Sequence, residues 1–262
     1  MMHSFADFVS LRGMFRLGTS FLFFLFFIGC AQRATQLKER AQLHLEMGVS
    51  HLSQGDYPAA LTELNQAEQL DPKNPAVENN LGLVYMVRNR PKESEQHFRK
   101  SLELDPRYSD ARSNLARLFI DEKKYDEALS ELGQVENDLT YPFPEKALSL
   151  SGMVYFEKGK FKKAEEYLGR AMNVRRDSCV TSNFYGRTLL EEKKLDEAVG
   201  ILDLAVENCR PSKFEEPLFF SAMAYYSLGD KEKSKARAQE LMTEYPLSKY
   251  ANKAKGLLRL LE

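Results

Sequence analysis

Leu70-Asp71-Pro72 recurs as Leu104-Asp105-Pro106, 34 residues further along the chain. The same interval separates Gly48 from Gly82 and Leu64 from Phe98. A fixed period of this length marks a stack of helix-turn-helix repeats, each too small to bury its own apolar face, rather than one globular core. Stacks of this kind offer extended surfaces to partners, so the period directs attention to binding before catalysis.

Counting Ala41 as position 1, the chain carries a small residue at position 8 of each repeat: Gly48, Gly82, Ala116, Gly152, Gly186 and Ala222. Position 20 is alanine or serine throughout (Ala60, Ser94, Ala128, Ala164, Ala198, Ser234). Small residues at both places let two helices of a hairpin approach closely, with large residues at 4, 11 and 24 filling the space beside them. Gln54-Gly55-Asp56, Lys158-Gly159-Lys160 and Leu228-Gly229-Asp230 supply turns between the helices, where glycine suits the left-handed conformation that ends a helix. Pro72, Pro106 and Pro246 close the second helix of their repeats.

This set of positions resembles the tetratricopeptide repeat over residues 41–248. The resemblance implies an all-α fold: a right-handed superhelical solenoid of six repeats, at 41–74, 75–108, 109–142, 145–178, 179–212 and 215–248. Residues 249–262 read as a C-terminal capping helix with Ala251, Ala254, Leu257, Leu258 and Leu261 on one side. Two extra residues at the third junction, in Thr140-Tyr141-Pro142-Phe143-Pro144, and two more at Lys213-Phe214 predict local changes of pitch.

Residues 1–29 break the period. Arg12 and Arg16 flank an apolar run from Leu17 to Ile28, followed by Gly29, Cys30 and Ala31. Basic flank, short apolar core and small residue are the layout of a secretory signal, and the run is shorter than the ~20 residues a spanning helix requires. Met14 offers an alternative start with a compact basic flank. Phe27-Ile28-Gly29-Cys30 resembles a bacterial lipobox, with phenylalanine where leucine is usual. That resemblance implies cleavage before Cys30, acylation of Cys30, a short tether over 30–40, and delivery to the periplasmic face of the outer membrane, since Ala31 rather than aspartate follows. The plainer alternative is a signal anchor with an unmodified cysteine.

Hydrophobic residues make up 43% of the chain and charged residues 29%, with a net charge of −1. This is a foldable composition without the basic excess of a nucleic-acid binder. Cys179 and Cys209 fall at positions 1 and 31 of one repeat, where the start of one helix lies beside the end of the other. They are candidates for a disulfide, which an oxidising envelope compartment permits; the competing reading is two half-buried thiols. His44 and His51 lie on one helical face but at packing positions 4 and 11. No His-Glu-x-x-His, Gly-x-Ser-x-Gly or phosphate loop occurs. The sequence therefore predicts no catalytic residue, no metal, no cofactor and no small-molecule substrate.

In tetratricopeptide stacks the first helices line the concave surface through positions 2, 5, 9, 12 and 13. The resemblance thus implies a partner groove containing Leu45, Val49 and Leu52 in the first repeat and Asn79, Leu83, Met86 and Val87 in the second. Ser113, Arg117 and Ile120 continue it in the third, Met153 and Phe156 in the fourth, and Asn183 and Arg187 in the fifth. The apolar first half suits a strand or an amphipathic helix. Lysines of a carboxylate clamp are missing from the first two repeats.

Six such repeats behind a lipobox, with Leu139-Thr140-Tyr141-Pro142 after the third, resemble the outer-membrane lipoproteins of type IV pilus assembly, the PilF/PilW/Tgl pilotin family. Glu215-Glu216-Pro217-Leu218 and Tyr245-Pro246-Leu247-Ser248 add to the likeness. This implies a non-enzymatic lipoprotein whose partner is a secretin subunit and whose contact with the membrane is an N-terminal lipid. The alternative is an envelope lipoprotein scaffolding another complex, for barrel insertion or for cell-wall enzymes.

Overall fold

The structure is a computed structural model that describes residues 32–33 and 35–262. The signal-like segment and Cys30 lie outside the described residues. Regular structure among the described residues is helical, and the chain divides into two compact blocks, one ending at Pro106 and the other running from Arg107 to Glu262.

The N-terminal block holds α1 (residues 35–54), α2 (Tyr57–Leu70), α3 (Pro75–Val87) and α4 (Pro91–Leu104). Helix α1 reaches back to residue 35, so most of the segment expected to be a tether is helical instead. The residues there, Thr35 to Arg40, include no proline or glycine that would stop the helix from propagating backwards. Asp56 and Asn74 start α2 and α3 by accepting hydrogen bonds from the amides of Ala59 (3.2 Å) and Ala76 (3.0 Å), as N-caps do. Leu45, Ala60, Leu64, Ala67, Val77, Leu81 and Val84 form the core of this block.

The C-terminal block holds α5 (Ser109–Asp121), α6 (Tyr125–Glu136), α7 (Pro144–Glu157), α8 (Phe161–Val174), α9 (Cys179–Glu191), α10 (Leu195–Cys209), α11 (Glu216–Leu228), α12 (Lys231–Glu244) and α13 (Ala251–Leu261). Each helix packs on the next in sequence, and the first helices α7, α9 and α11 also touch their counterparts in the preceding repeat. This is the contact pattern of stacked hairpins, in which every repeat leans only on its neighbours. Helix α13 closes the stack: Ala254 and Leu257 join Leu218, Ala222, Ala238, Leu241 and Tyr250 in the terminal core. Tyr250, which the sequence pattern did not single out, stacks on Phe219 at 5.3 Å.

Close approach within the hairpins is visible at position 8. A Cβ added to Gly48, Gly82, Gly152 or Gly186 would lie 2.7, 2.6, 2.5 or 2.5 Å from a side-chain carbon of the position-24 residue, respectively Leu64, Phe98, Leu168 and Leu202. Those four side chains are fully buried. In the second and sixth repeats the serine at position 20 adds a bond across the same gap, Ser94 Oγ donating to the Gly82 carbonyl at 2.8 Å and Ser234 Oγ to that of Ala222 at 2.9 Å.

Both insertions are absorbed in the junctions. After α6, Asp138 accepts from the Thr140 amide at 3.0 Å while Tyr141 turns inward to donate to Asp110 at 2.7 Å. After α10, a single 3-10 turn at Arg210–Ser212 ends on Lys213, whose φ is +53°.

Every hairpin turn uses a left-handed residue at position 15. Glycine fills it in the first, fourth and sixth repeats (Gly55, Gly159, Gly229). Asn89, Lys123 and Lys193 fill it in the others, with φ of 57°, 60° and 60°. An L-residue with a Cβ resists this region by roughly 1–2 kcal/mol, and asparagine less than lysine. Lys123→Gly and Lys193→Gly are therefore expected to stabilise the protein by about 0.5–1 kcal/mol each, net of glycine's larger unfolded-state entropy. Urea melts of the two variants check this; an unchanged or lower midpoint contradicts it.

Candidate functional site

Polar pairs link positions 4 and 23 in the first three repeats. His44 Nδ1 lies 2.7 Å from Glu63, Glu78 lies 2.8 Å from His97 Nδ1, and Arg112 donates to Glu131 at 2.7 Å. The acidic partner stands at position 23 in the first repeat, at position 4 in the second and at position 23 again in the third. Position 4 thus carries a polar contact in these repeats, His44 included, in addition to the packing expected of it; Leu148 and Leu218 pack there in the fourth and sixth repeats. His51 is half-buried, 4.0 Å from Asp56. Among the described residues no group of histidine, cysteine or acidic side chains is placed to hold a metal ion.

Glu78 is buried, and burial by itself pushes its carboxyl up. The hydrogen bonds from His97 and Lys100, with the Lys100 charge 2.6 Å away, outweigh this and hold the carboxyl below its ordinary value. A lowered native value contributes stability that is complete above the ordinary glutamate range and is lost as pH falls through the lowered value. The N-terminal block should therefore lose melting temperature below about pH 4. Glu78→Gln should flatten that acid limb and lower stability at neutral pH by about 1.5–3 kcal/mol. Thermal melts across pH for both proteins test it, and an unaltered acid limb in the variant counts against it.

The disulfide reading of Cys179 and Cys209 is the one the structure adopts: the two residues are bonded, with their Cα atoms 4.8 Å apart. The bond ties the first turn of α9 to the last turn of α10, closing a loop of 30 residues. On the chain-entropy account a loop of that length contributes about 3–4 kcal/mol. The double variant Cys179→Ser/Cys209→Ser should lose that amount in denaturant melts, and reductant should lower the wild type to the same midpoint.

The predicted groove residues separate into three groups. In the N-terminal block, Leu45 belongs to the core and Asn79 is also buried. Leu52, Leu83 and Met86 are half-buried, and Val49 and Val87 are exposed. The helix is turned so that position 5 faces the neighbouring helix, which removes Leu45 and Asn79 from any partner surface.

In the C-terminal block, Ser113, Arg117, Ile120 and Met153 converge on a pocket of about 400 Å³ between α5, α7 and α9. Ile120, Leu150, Met153 and Val180 give it apolar walls, and Arg117, Lys146 and Arg175 bring cations to it. Ser113 is buried and its hydroxyl donates to the Ser109 carbonyl at 2.9 Å. Ser149 Oγ and Thr181 Oγ1 lie 2.9 Å apart, and Thr181 donates on to Ser178 at 2.7 Å. Burial pushes the Asp121 carboxyl up, a shift that Arg117 opposes. Arg175 is 3.7 Å from Glu145, and Lys146 is 3.2 Å from Asp110. Apolar walls with a few polar groups at fixed places are the general features of a binding pocket. Ser149 and Lys146 stand at positions 5 and 2 of the fourth repeat, so the positional rule already contained them. Thr181 at position 3 and Arg175 in the junction fall outside that rule.

The third group lies among aromatic rings of α7, α9 and α11. Arg187 is sandwiched by the rings of Phe156, Phe184 and Phe220, at 4.6, 4.9 and 4.5 Å from their centroids, and donates to Glu216 at 2.8 Å. Phe156 packs edge-on against Phe184 and Phe161. Asn183 is fully buried, with both amide atoms unpaired among the described residues. Phe156 and Arg187 link α7, α9 and α11 through these contacts and remain half-buried, while Asn183 is closed off from solvent. Phe184 and Phe220 gave no sign of this in the sequence, where each reads as an ordinary apolar position.

Profiles for the tetratricopeptide repeat match residues 40–86, 88–139, 145–178 and 220–248. The chain is a tetratricopeptide-repeat protein. It is homologous to the type IV pilus assembly protein PilF of Pseudomonas aeruginosa, with 25% identity over 166 residues that span 63% of this chain and 66% of that relative. Its fold matches the solved structure of P. aeruginosa PilF with a TM-score of 0.75 and 20% identity, over 84% of this chain and 99% of that one. It likewise matches that of PilW, a type IV pilus biogenesis factor, with a TM-score of 0.73 and 18% identity, over 85% and 98%. The bovine DnaJ homolog subfamily C member 3, 22% identical, is spanned over 48% of its length.

Proposed function

We propose that this protein is a non-enzymatic binding factor of type IV pilus assembly, acting as a lipid-anchored pilotin for the outer-membrane secretin. The observation that carries the proposal is the homology to PilF, supported by a pocket on the inner helices of the C-terminal block. On this reading attachment falls to acylated Cys30, as the lipobox resemblance of Phe27-Ile28-Gly29-Cys30 implies. The lipid is the address, and the repeats hold an aggregation-prone segment of a secretin subunit until its strands pair. Joining both in one chain raises the local concentration of subunits at the membrane.

The pocket takes the partner's backbone along its hydroxyl-bearing floor and an aliphatic side chain between Ile120 and Met153. Leu83 and Met86, half-buried on α3, offer a second apolar contact within the N-terminal block. The pair Ile120→Glu/Met153→Glu should reduce co-purification of secretin subunits from detergent-solubilised membranes by tenfold or more, consistent with loss of about 1.4 kcal/mol or more of binding, while helical content stays intact. Cys30→Ser should leave secretin subunits scattered away from the outer membrane. Undiminished capture by the charge variant sinks the pocket assignment; normal secretin multimers in the cysteine variant sink the anchor.

A further inference from the structure

The first turn of α9 begins on polar residues. Thr181, Ser182 and Asn183, at positions 3 to 5 of the fifth repeat, are buried, and Val180 beside them is exposed. The neighbouring repeats bury Ala147 and Leu148, or Pro217 and Leu218, at positions 3 and 4. An inner helix that starts on aliphatic side chains is held by their removal from water; one that starts on hydroxyls gains little from it. In the fifth repeat the Cys179–Cys209 bond stands where that aliphatic packing is lacking. Around it are single hydrogen bonds: Asn208 donates to the Arg176 carbonyl at 2.8 Å, and Ser182 to that of Ser178 at 2.8 Å.

The same turn is a wall of the pocket. Arg175, Ser178, Val180 and Thr181 line it, and all lie within four residues of Cys179. Thr181 carries the hydroxyl that meets Ser149 of α7 at 2.9 Å, so the pocket floor is continuous only while the start of α9 stays beside α7. The other end of the α9–α10 hairpin is held without the bond. Leu189, Ala198 and Leu202 are packed there, and a Cβ on Gly186 would lie 2.5 Å from Leu202. Release of the start of α9 is therefore a local opening and not the unfolding of the repeat.

We propose that the Cys179–Cys209 bond is a redox switch for the pocket. Oxidised, it holds the wall in place for a partner segment; reduced, the first turn of α9 opens and the site is lost. This rests on the pocket being the partner site. Closing the bond joins the two sulfurs and passes two electrons and two protons to a disulfide-bearing oxidant, which leaves as two thiols. A dithiol reductant reverses this: both protein sulfurs return to thiols and the reductant closes its own disulfide. Cys179 is half-buried and Cys209 is 1% exposed, so the incoming thiolate attacks the sulfur of Cys179 and that of Cys209 leaves. An oxidising compartment therefore makes the site competent and a reducing one does not.

The test compares the oxidised full-length protein with the same protein in dithiothreitol and with Cys179→Ala/Cys209→Ala, at a temperature where circular dichroism shows the helices intact. Hydrogen exchange read by mass spectrometry should quicken about tenfold or more in peptides covering 175–183 when the bond is lost, and stay unaltered in those covering 186–202. Capture of secretin subunits from detergent-solubilised membranes should fall about tenfold in dithiothreitol, as expected when only a tenth of the molecules keep the wall in place, and should recover on reoxidation. The alanine pair should capture as weakly with no reductant present, so the loss is not an effect of reductant on the partner. Should the alanine pair fail to fold, the reduced wild type carries both comparisons. Exchange that rises evenly across the block, or that does not rise at 175–183, overturns the switch and leaves the bond a general brace; equal capture with and without the bond overturns it too. If the oxidised protein captures no secretin subunit, the partner reading fails, and exchange at 175–183 still decides whether the bond holds the wall.

Discussion

The contact between position 8 and position 24 sets the spacing on which the rest of the structure depends. Four repeats leave no room for a Cβ on the first helix, because the leucine or phenylalanine of the second helix fills the gap down to about 2.5 Å. Such closeness fixes how the two helices cross and which faces remain available to the next repeat. Interiors are packed too tightly to transmit a different spacing without cost. Where serine takes position 20, its hydroxyl bonds the carbonyl of position 8 and so satisfies its own polar group inside the hairpin.

Around this common seam the repeats are held by different means. The first three use a polar pair between positions 4 and 23, with the acidic partner changing place from one repeat to the next. The fifth is tied by its disulfide, and its inner helix is braced by Arg187 among three aromatic rings. The last is sealed by α13, with Tyr250 stacked on Phe219. A repeat stack tolerates this variety because each interface is local, so a change in one repeat is felt mainly by its neighbours.

The predicted groove residues show what position within a repeat specifies and what it does not. Arg117, Ile120 and Met153 reached a shared pocket because adjacent inner helices bring positions 9 and 12 of one repeat towards position 9 of the next. Leu45, Asn79 and Asn183 obeyed the same rule and are buried. Position 5 lies at the margin of the inner face, and whether it is open depends on the size of what sits one repeat away. The hydroxyl series of Ser149, Thr181 and Ser178 was invisible for a related reason: its members come from two helices and a junction, and only their distances make them one feature.

The period, the small residues at positions 8 and 20 and the glycines of the turns were enough to determine six helical hairpins and a cap, because each constraint acts within a few dozen residues of chain. Position 15 was legible only where glycine fills it; Lys123 and Lys193 show the same backbone in a residue that conceals it. Which half-buried side chains line a pocket and which cations find partners were decided by tertiary structure alone. These depend on the relative placement of side chains from different repeats, and that placement is set by packing across helix interfaces, which no local sequence pattern records.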